Sequence, residues 1–199
     1  GVISDYVMLM ADNDQAQQID DIRSLVTQGC DAIIVSCITA DGLNDVLEEA
    51  MDEGVVVITF DNNATTDNIT LRVAADDYAY GQQCGEWLAE HVEDGSKIIV
   101  LDGTAGTLNN ENRHNGMLDA FTANSPNSEI LATVNADWDY ATAKVAVEQL
   151  LAAHPQIDGV LSQGGAMTQA AMDAFTAAGR DLVPMTSEGN NGAIRAWIE

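Results

Sequence analysis

Positive charge is what this 199-residue chain has least of. Seven Lys and Arg face 32 Asp and Glu, for a formal net charge of −25. Only two of the bases are lysines, Lys97 and Lys144. Such a surface repels phosphate backbones and excludes a nucleic-acid-binding role. The acidity fits either a coat adapted to salty surroundings, where self-repulsion is screened, or an ordinary acidic secreted protein; it speaks to solubility rather than fold. Cysteine is scarce too. Cys30, Cys37 and Cys84 form no CxxC pair and read as small buried hydrophobes. A Cys30–Cys37 disulfide would make the chain double back across one strand, which disfavours it.

Other absences narrow the function. His91, His114 and His154 lie far apart with no HxxxH spacing, so no metal site is expected. No apolar run approaches the ~20 residues of a membrane span. No basic stretch leading into an apolar one opens the chain given. GxxxxGK[ST], GxSxG and a GxGxxG after the first strand are missing. "GTAGT" at Gly103–Thr107 has the look of a phosphate cradle, but it lacks the lysine, and the surrounding acidity disfavours anions. Acidic pairs abound at this composition and carry no information about acid–base catalysis. The expectation is a protein without cofactor or enzymatic activity.

What is present is rhythm. Hydrophobic residues make up 46%, enough for a real core. Short apolar runs, Tyr6–Met10, Ala32–Val35, Val55–Phe60, Lys97–Leu101, Ile130–Val134, Ile157–Leu161 and Leu182–Met185, read as strands buried on both faces. Between them, 14–28, 41–52, 78–92, 110–123, 141–152 and 166–178 carry one-sided apolar stripes of helices. Asp41 and Asp139 stand where N-caps belong, and Trp87 and Trp197 read as core. Strand, helix, strand, repeated, predicts an α/β fold with parallel sheets flanked by helices. The rhythm breaks after Phe60, where a polar loop and a short strand, Leu71–Ala74, follow without a helix. The expected boundary falls there, giving domains 1–75 and 76–199.

Ligands of open parallel sheets bind outside the carboxyl ends of the strands. Those ends read "FDNN", "DGTAGTLNNENR", "NADWDYA", "SQGGAMTQ" and "TSEGNNG". Amides and carboxylates pair with vicinal hydroxyls, an arginine fork bridges two oxygens, and an indole covers the C–H face of a sugar ring. The inventory suits a neutral, hydroxyl-rich ligand. Asp61 and Asn62 are candidate contacts, with turn formation as the alternative. Arg113 is a candidate clasp, with a salt bridge to Glu111 or Asp119 as the alternative. Trp138 is a candidate stacking plate or a buried loop anchor. Gly164–Gly165 forms a tight turn or lets a ligand near the backbone.

Taken as a set, "NDQAQQIDDIRSLVTQGCDAIIV", "VVVITFDNN", "VAADDYAYGQQCGEWL", "GTAGTLNNENRHNGM", "ADWDYATA" and "HPQIDGVLSQGGAMTQAAMDAFTAAGR" resemble the sugar-binding, ribose- and galactose-binding-protein-like members of the periplasmic-binding-protein-like type I family. The resemblance implies two hinged α/β lobes closing on a sugar held between them. It implies ligand contacts from Asp61, Arg113 and Trp138, with Glu188 where aspartate is more usual. Asn62, Gln163 and Asn190 complete the expected polar ring. The family often has an Asn-Asp pair where Gly164 and Gly165 stand, so a polar contact is lost or replaced. The implied role is the solute-binding component of an ABC importer for a monosaccharide or polyol, periplasmic or lipid-anchored outside the cell. Its expected partners are the permease subunits, with no nucleic acid, and the full-length protein is expected to be a monomer. The alternative is the ligand-sensing domain of a lactose-repressor-like regulator. The resemblance also implies truncation at both ends, with a partial first lobe and final segments missing from the second.

Overall fold

A computed structural model describes residues 3–198, apart from the side chains of Ala193, Ala196 and Trp197; the expected core position of Trp197 therefore lies outside the described residues. The chain divides into two compact units, Gly1–Ala75 and Asp76–Glu199.

The first unit runs α1 (Gln15–Thr27), β1 (Ala32–Val35), α2 (Asn44–Asp52), β2 (Val56–Phe60) and β3 (Leu71–Val73). Its strands pair in the order β1-β2-β3, all parallel. Asp14 caps α1 by accepting from the Gln17 N–H at 3.1 Å. Asp41 does not cap α2: the helix starts behind Leu43, which is pulled wholly into the core, and Asp41 contributes only a backbone carbonyl to the turn. Ile33, Val35 and Val57 pack with Ile22, Leu43 and Leu47 in one cluster, so both helices cover the same sheet face. The other face is open in the described residues. Ile34 is 66% exposed, and Phe60, Leu71 and Val73 are exposed beside it. The expectation of strands buried on both faces therefore fails here. Tyr6–Met10, expected as a strand, runs exposed and without a ladder among the described residues.

The second unit runs α3 (Asp77–His91), β4 (Lys97–Asp102), α4 (Leu108–Asn124), β5 (Glu129–Asn135), α5 (Tyr140–Ala153), β6 (Gly159–Ser162), α6 (Gly165–Ala177) and α7 (Asn191–Ile198). The parallel sheet has the order β5-β4-β6. Central β4 alternates in strict period two. Ile98 and Val100 join Leu88, Met117 and Phe121 on one face, while Ile99 and Leu101 join Val147, Met167 and Phe175 on the other. The result is helix pairs on both sides of a sheet, as expected of a doubly covered strand. Leu182–Met185 makes only a bridge, Met185 to Val160, because Pro184 has no N–H for a longer ladder. Asp139 caps α5, accepting from the Thr142 N–H at 2.8 Å.

Helices α3 and α4 meet backbone to backbone. A Cβ on Gly81 would lie 2.3 Å from the Arg113 carbonyl oxygen, and one on Gly85 2.3 Å from that of Met117. On α4, a Cβ on Gly116 would lie 2.2 Å from the Tyr78 oxygen. Glycine here serves close approach rather than a turn. Trp87, expected in the core, is exposed and stacks on His91 at 4.1 Å, because the buried stripe of α3 is Gly81, Cys84, Gly85 and Leu88. The three cysteines are free thiols, with Cys37 and Cys84 buried and Cys30 part-exposed.

Gly85→Ala is expected to lower stability by about 1–3 kcal/mol through overpacking, read from the urea midpoint. Burial raises the Cys37 thiol pKa to about 11. Because the folded value lies above the unfolded one, this thiol supports folding below about pH 9 and that support is lost as pH rises towards 11. At pH 8 iodoacetamide is expected to label Cys30 in the native protein and to reach Cys37 and Cys84 only in denaturant, as mass spectrometry will show.

Candidate functional site

In the second unit, β4 ends at Asp102 and β6 at Ser162, and the early turns of α3, α4 and α6 gather around those tips. The α3–α4 contact sets Asp77, in the first turn of α3, against Arg113 on α4. Arg113 Nε donates to Asp77 Oδ1 at 2.7 Å. Its Nη1 donates to the Gln163 carbonyl oxygen at 3.2 Å and, more weakly, to Glu188 Oε2 at 3.4 Å. Glu111 and Asp119 are not its partners. The side chains of Arg113 and Asp77 are 12% and 9% exposed, so this is a largely desolvated ion pair. Burial alone would lower the guanidinium pKa, but the bonds to Asp77 and Glu188 outweigh it and hold the value above the ordinary one. Tyr80 and Trp138 lie over the guanidinium at 4.7 and 5.3 Å, within cation–π range. Nη2 donates to no described residue.

Beneath the arginine is a buried polar layer. Gln163 Nε2 donates to Asp102 Oδ1 at 2.8 Å and to the Asn110 carbonyl oxygen at 3.2 Å. His114 Nδ1 sits 2.8 Å from Asp102 Oδ2, near enough for an ion pair but poorly aligned for a hydrogen bond. Burial raises the Asp102 pKa, and the contacts with His114 and Gln163 offset only part of it. Burial likewise pushes the Tyr80 phenol up, helped by Cys84 and Glu188. Asn110 Oδ1, Gln163 Oε1 and His114 Nδ1 are buried without a hydrogen-bond partner among the described residues. Two of these are pure acceptors, which ask for an O–H or N–H donor.

The expected residues therefore take different places. Arg113, Trp138 and Glu188 come together, with Glu188 more than half exposed at the rim. Asn190 lies over Gly165, where a Cβ would meet its Cγ at 2.7 Å. Gln163, expected in the ring, is fully buried and braces the layer below. Asp61 and Asn62 belong to the first unit. Asp61 adopts a left-handed φ of 56° after β2, its N–H donating to the Val73 carbonyl oxygen at 3.1 Å. Asn63 Nδ2 closes the turn on the Asp61 carbonyl oxygen at 2.8 Å. The turn is thus made by backbone and Asn63, and the Asp61 carboxylate is exposed without a partner among the described residues. The Asn62 side-chain oxygen is buried with no hydrogen-bond partner among the described residues. Of the residues gathered here, the sequence marks His114 as the one reactive-looking histidine near the strand ends, but not Asp77, Tyr80, Asp102 or Asn110. Of these four, Asp102 alone had a local signal, as the acid directly after the apolar run of β4.

Among the described residues no group of His, Cys, Asp and Glu could hold a metal ion, and no helix is long and apolar enough to cross a membrane. The model of the periplasmic binding protein domain family matches residues 2–199. The chain is 26% identical over 188 residues to the ribose import binding protein of Bacillus subtilis (strain 168), covering 94% of this chain and 61% of that protein. It is 32% identical over 176 residues to the xylitol-binding protein of Mycolicibacterium smegmatis, covering 88% and 50%. A solved structure, the periplasmic binding protein component of the arabinose ABC transporter from Shewanella sp. ANA-3 with bound L-arabinofuranose, superposes with a TM-score of 0.81 at 28% identity, covering 87% of this chain and 60% of that one. The chain thus spans less than two thirds of each of these three proteins.

Removing the Asp77 charge leaves the buried Arg113 cation with Glu188, at 3.4 Å, as its one remaining anionic partner among the described residues. Asp77→Asn is expected to cost about 2–4 kcal/mol in urea unfolding, the range for a half-broken desolvated pair.

Proposed function

The chain belongs to the periplasmic binding protein domain family, and from that premise we propose that it is the solute-binding component of an ABC importer for a neutral monosaccharide or polyol. The observation that carries this reading is Arg113. It is held by Asp77 and the Gln163 carbonyl and packs against the rings of Tyr80 and Trp138, so one nitrogen remains to donate, and Asn110, three residues earlier on α4, has a buried amide oxygen with no donor among the described residues. A hydroxyl both accepts from a guanidinium and donates to an amide oxygen. Sugars and polyols carry such groups in series.

Charge narrows the class. Arg113 is already matched by Asp77 and Glu188 in a chain of net charge −25, so acidic and phosphorylated sugars meet repulsion. In this reading Arg113 and Glu188 clasp hydroxyls, Trp138 offers its face and Asn190 adds an amide. Within the first unit, Asp61 and Asn62 are proposed hydroxyl contacts in their own right, and in the second Gln163 positions the layer below Arg113 rather than touching the ligand. The named relatives favour this role over the sensing domain of a regulator, and they are binding proteins rather than enzymes. The proposal extends to ABC permease subunits as partners, a periplasmic or lipid-anchored extracellular location, and action as a monomer.

Calorimetry and thermal shift with D-ribose, xylitol and L-arabinose on the full-length protein test the reading. A ligand at one hundred times its Kd is expected to stabilise by ~2.7 kcal/mol. Arg113→Ala is expected to weaken binding at least ~100-fold with the fold retained. Unchanged affinity in Arg113→Ala, or no response to any neutral sugar or polyol, counts against it.

A further inference from the structure

Trp138 reaches its place by an unusual route. Asp137 and Trp138, between β5 and α5, both have left-handed backbones, with φ of 53° and 59°. Two adjacent non-glycine residues in that region are strained, and such strain persists only where the surroundings over-determine it. Those surroundings include two glycines. A Cβ on Gly103, just past β4, would fall 2.0 Å from the indole Cζ2 and 2.1 Å from Cε2. A Cβ on Gly164, just past β6, would lie 3.1 Å from the indole Cε3 and 3.3 Å from the Met167 methyl. The ring thus fits over two bare backbones from the two strand tips, with the Arg113 guanidinium 5.3 Å from its centroid.

We propose that Gly103 and Gly164 are positioning residues that form a slot for the Trp138 indole. The slot fixes the ring plane, and with it the aromatic face that meets the Arg113 guanidinium, before any ligand arrives. It also determines specificity. The space a side chain at 164 would take is taken by indole, so the ligand meets an aromatic face there instead of a hydrogen-bonding group. The specificity role rests on the sugar-binding reading; the ring-positioning role does not.

The two parts are tested separately. In a full-length protein whose other tryptophans, Trp87 and Trp197 among them, are replaced by Phe, Trp138 is the sole indole. Gly164→Ala is expected to move its emission to longer wavelength and to steepen acrylamide quenching, while the Trp138→Phe control abolishes the signal. Gly103→Ala meets the rigid ring and is expected to lower Tm sharply. The same change in a Trp138→Ala background is expected to cost little, and this rescue is what a slot predicts and a general need for glycine does not. Unchanged emission and quenching in Gly164→Ala, or no rescue of Gly103→Ala, overturns the slot.

The second arm measures binding of D-ribose, xylitol and L-arabinose to the wild type and Gly164→Ala. Loss of affinity of about tenfold or more for whichever binds is expected from a displaced stacking plate. Equal affinity overturns the specificity role. No binding by the wild type sinks the sugar reading and the specificity role together, and leaves the emission and rescue data to decide the slot.

Discussion

The second unit depends on the place where α3 and α4 touch with nothing but backbone between them. Gly81 and Gly85 on one helix and Gly116 on the other remove the side chains that would hold the axes apart. Only at that separation does the first turn of α3 bring Asp77 to within 2.7 Å of Arg113. The ion pair fixes the guanidinium, the guanidinium receives Tyr80 and Trp138 on its faces, and its Nη1 reaches the end of β6. A buried cation is tolerable only when its partners are numerous and well placed. Helix packing thus comes first, and the arrangement at the strand tips follows from it.

Much of the architecture was legible because burial leaves a period in sequence. In β4 the uninterrupted apolar run foretold a strand covered on both faces, and the helices around it followed from their stripes. Arg113 and Trp138 could be marked because each residue type is rare in this chain and each lies in a polar segment that follows a strand. What could not be read were relations among distant residues. Arg113 has nearby acids at 111 and 119, and spacing alone cannot show that one 36 positions away is its partner. Gln163 looked like a rim residue, yet it faces inward because Asp102 needs a donor where water is excluded. Trp87 looked like core, yet one step of rotation about α3 carries it to solvent. In the first unit, "AIIV" reads as doubly buried, but alternation depends on what covers each face, which a strand's own residues do not state.

The Asp61 turn illustrates how a polar strand end can be told from a mere turn. Its local geometry is satisfied without the carboxylate: backbone and Asn63 close it, and Asn63 itself accepts from Thr59 at 2.6 Å. A side chain that local structure does not use is free for another purpose. The same logic separates Gln163, whose amide nitrogen is fully engaged, from Glu188, held by one long contact.

The open sheet face of the first unit has a consequence for how this chain behaves in solution. Ile34, Phe60, Leu71 and Val73 form an apolar plateau on a molecule that is otherwise strongly anionic. Mutual repulsion keeps copies apart at low ionic strength, while short-range attraction between plateaus is insensitive to it. Adding salt thins the first and spares the second, so colloidal stability of this chain declines as ionic strength climbs.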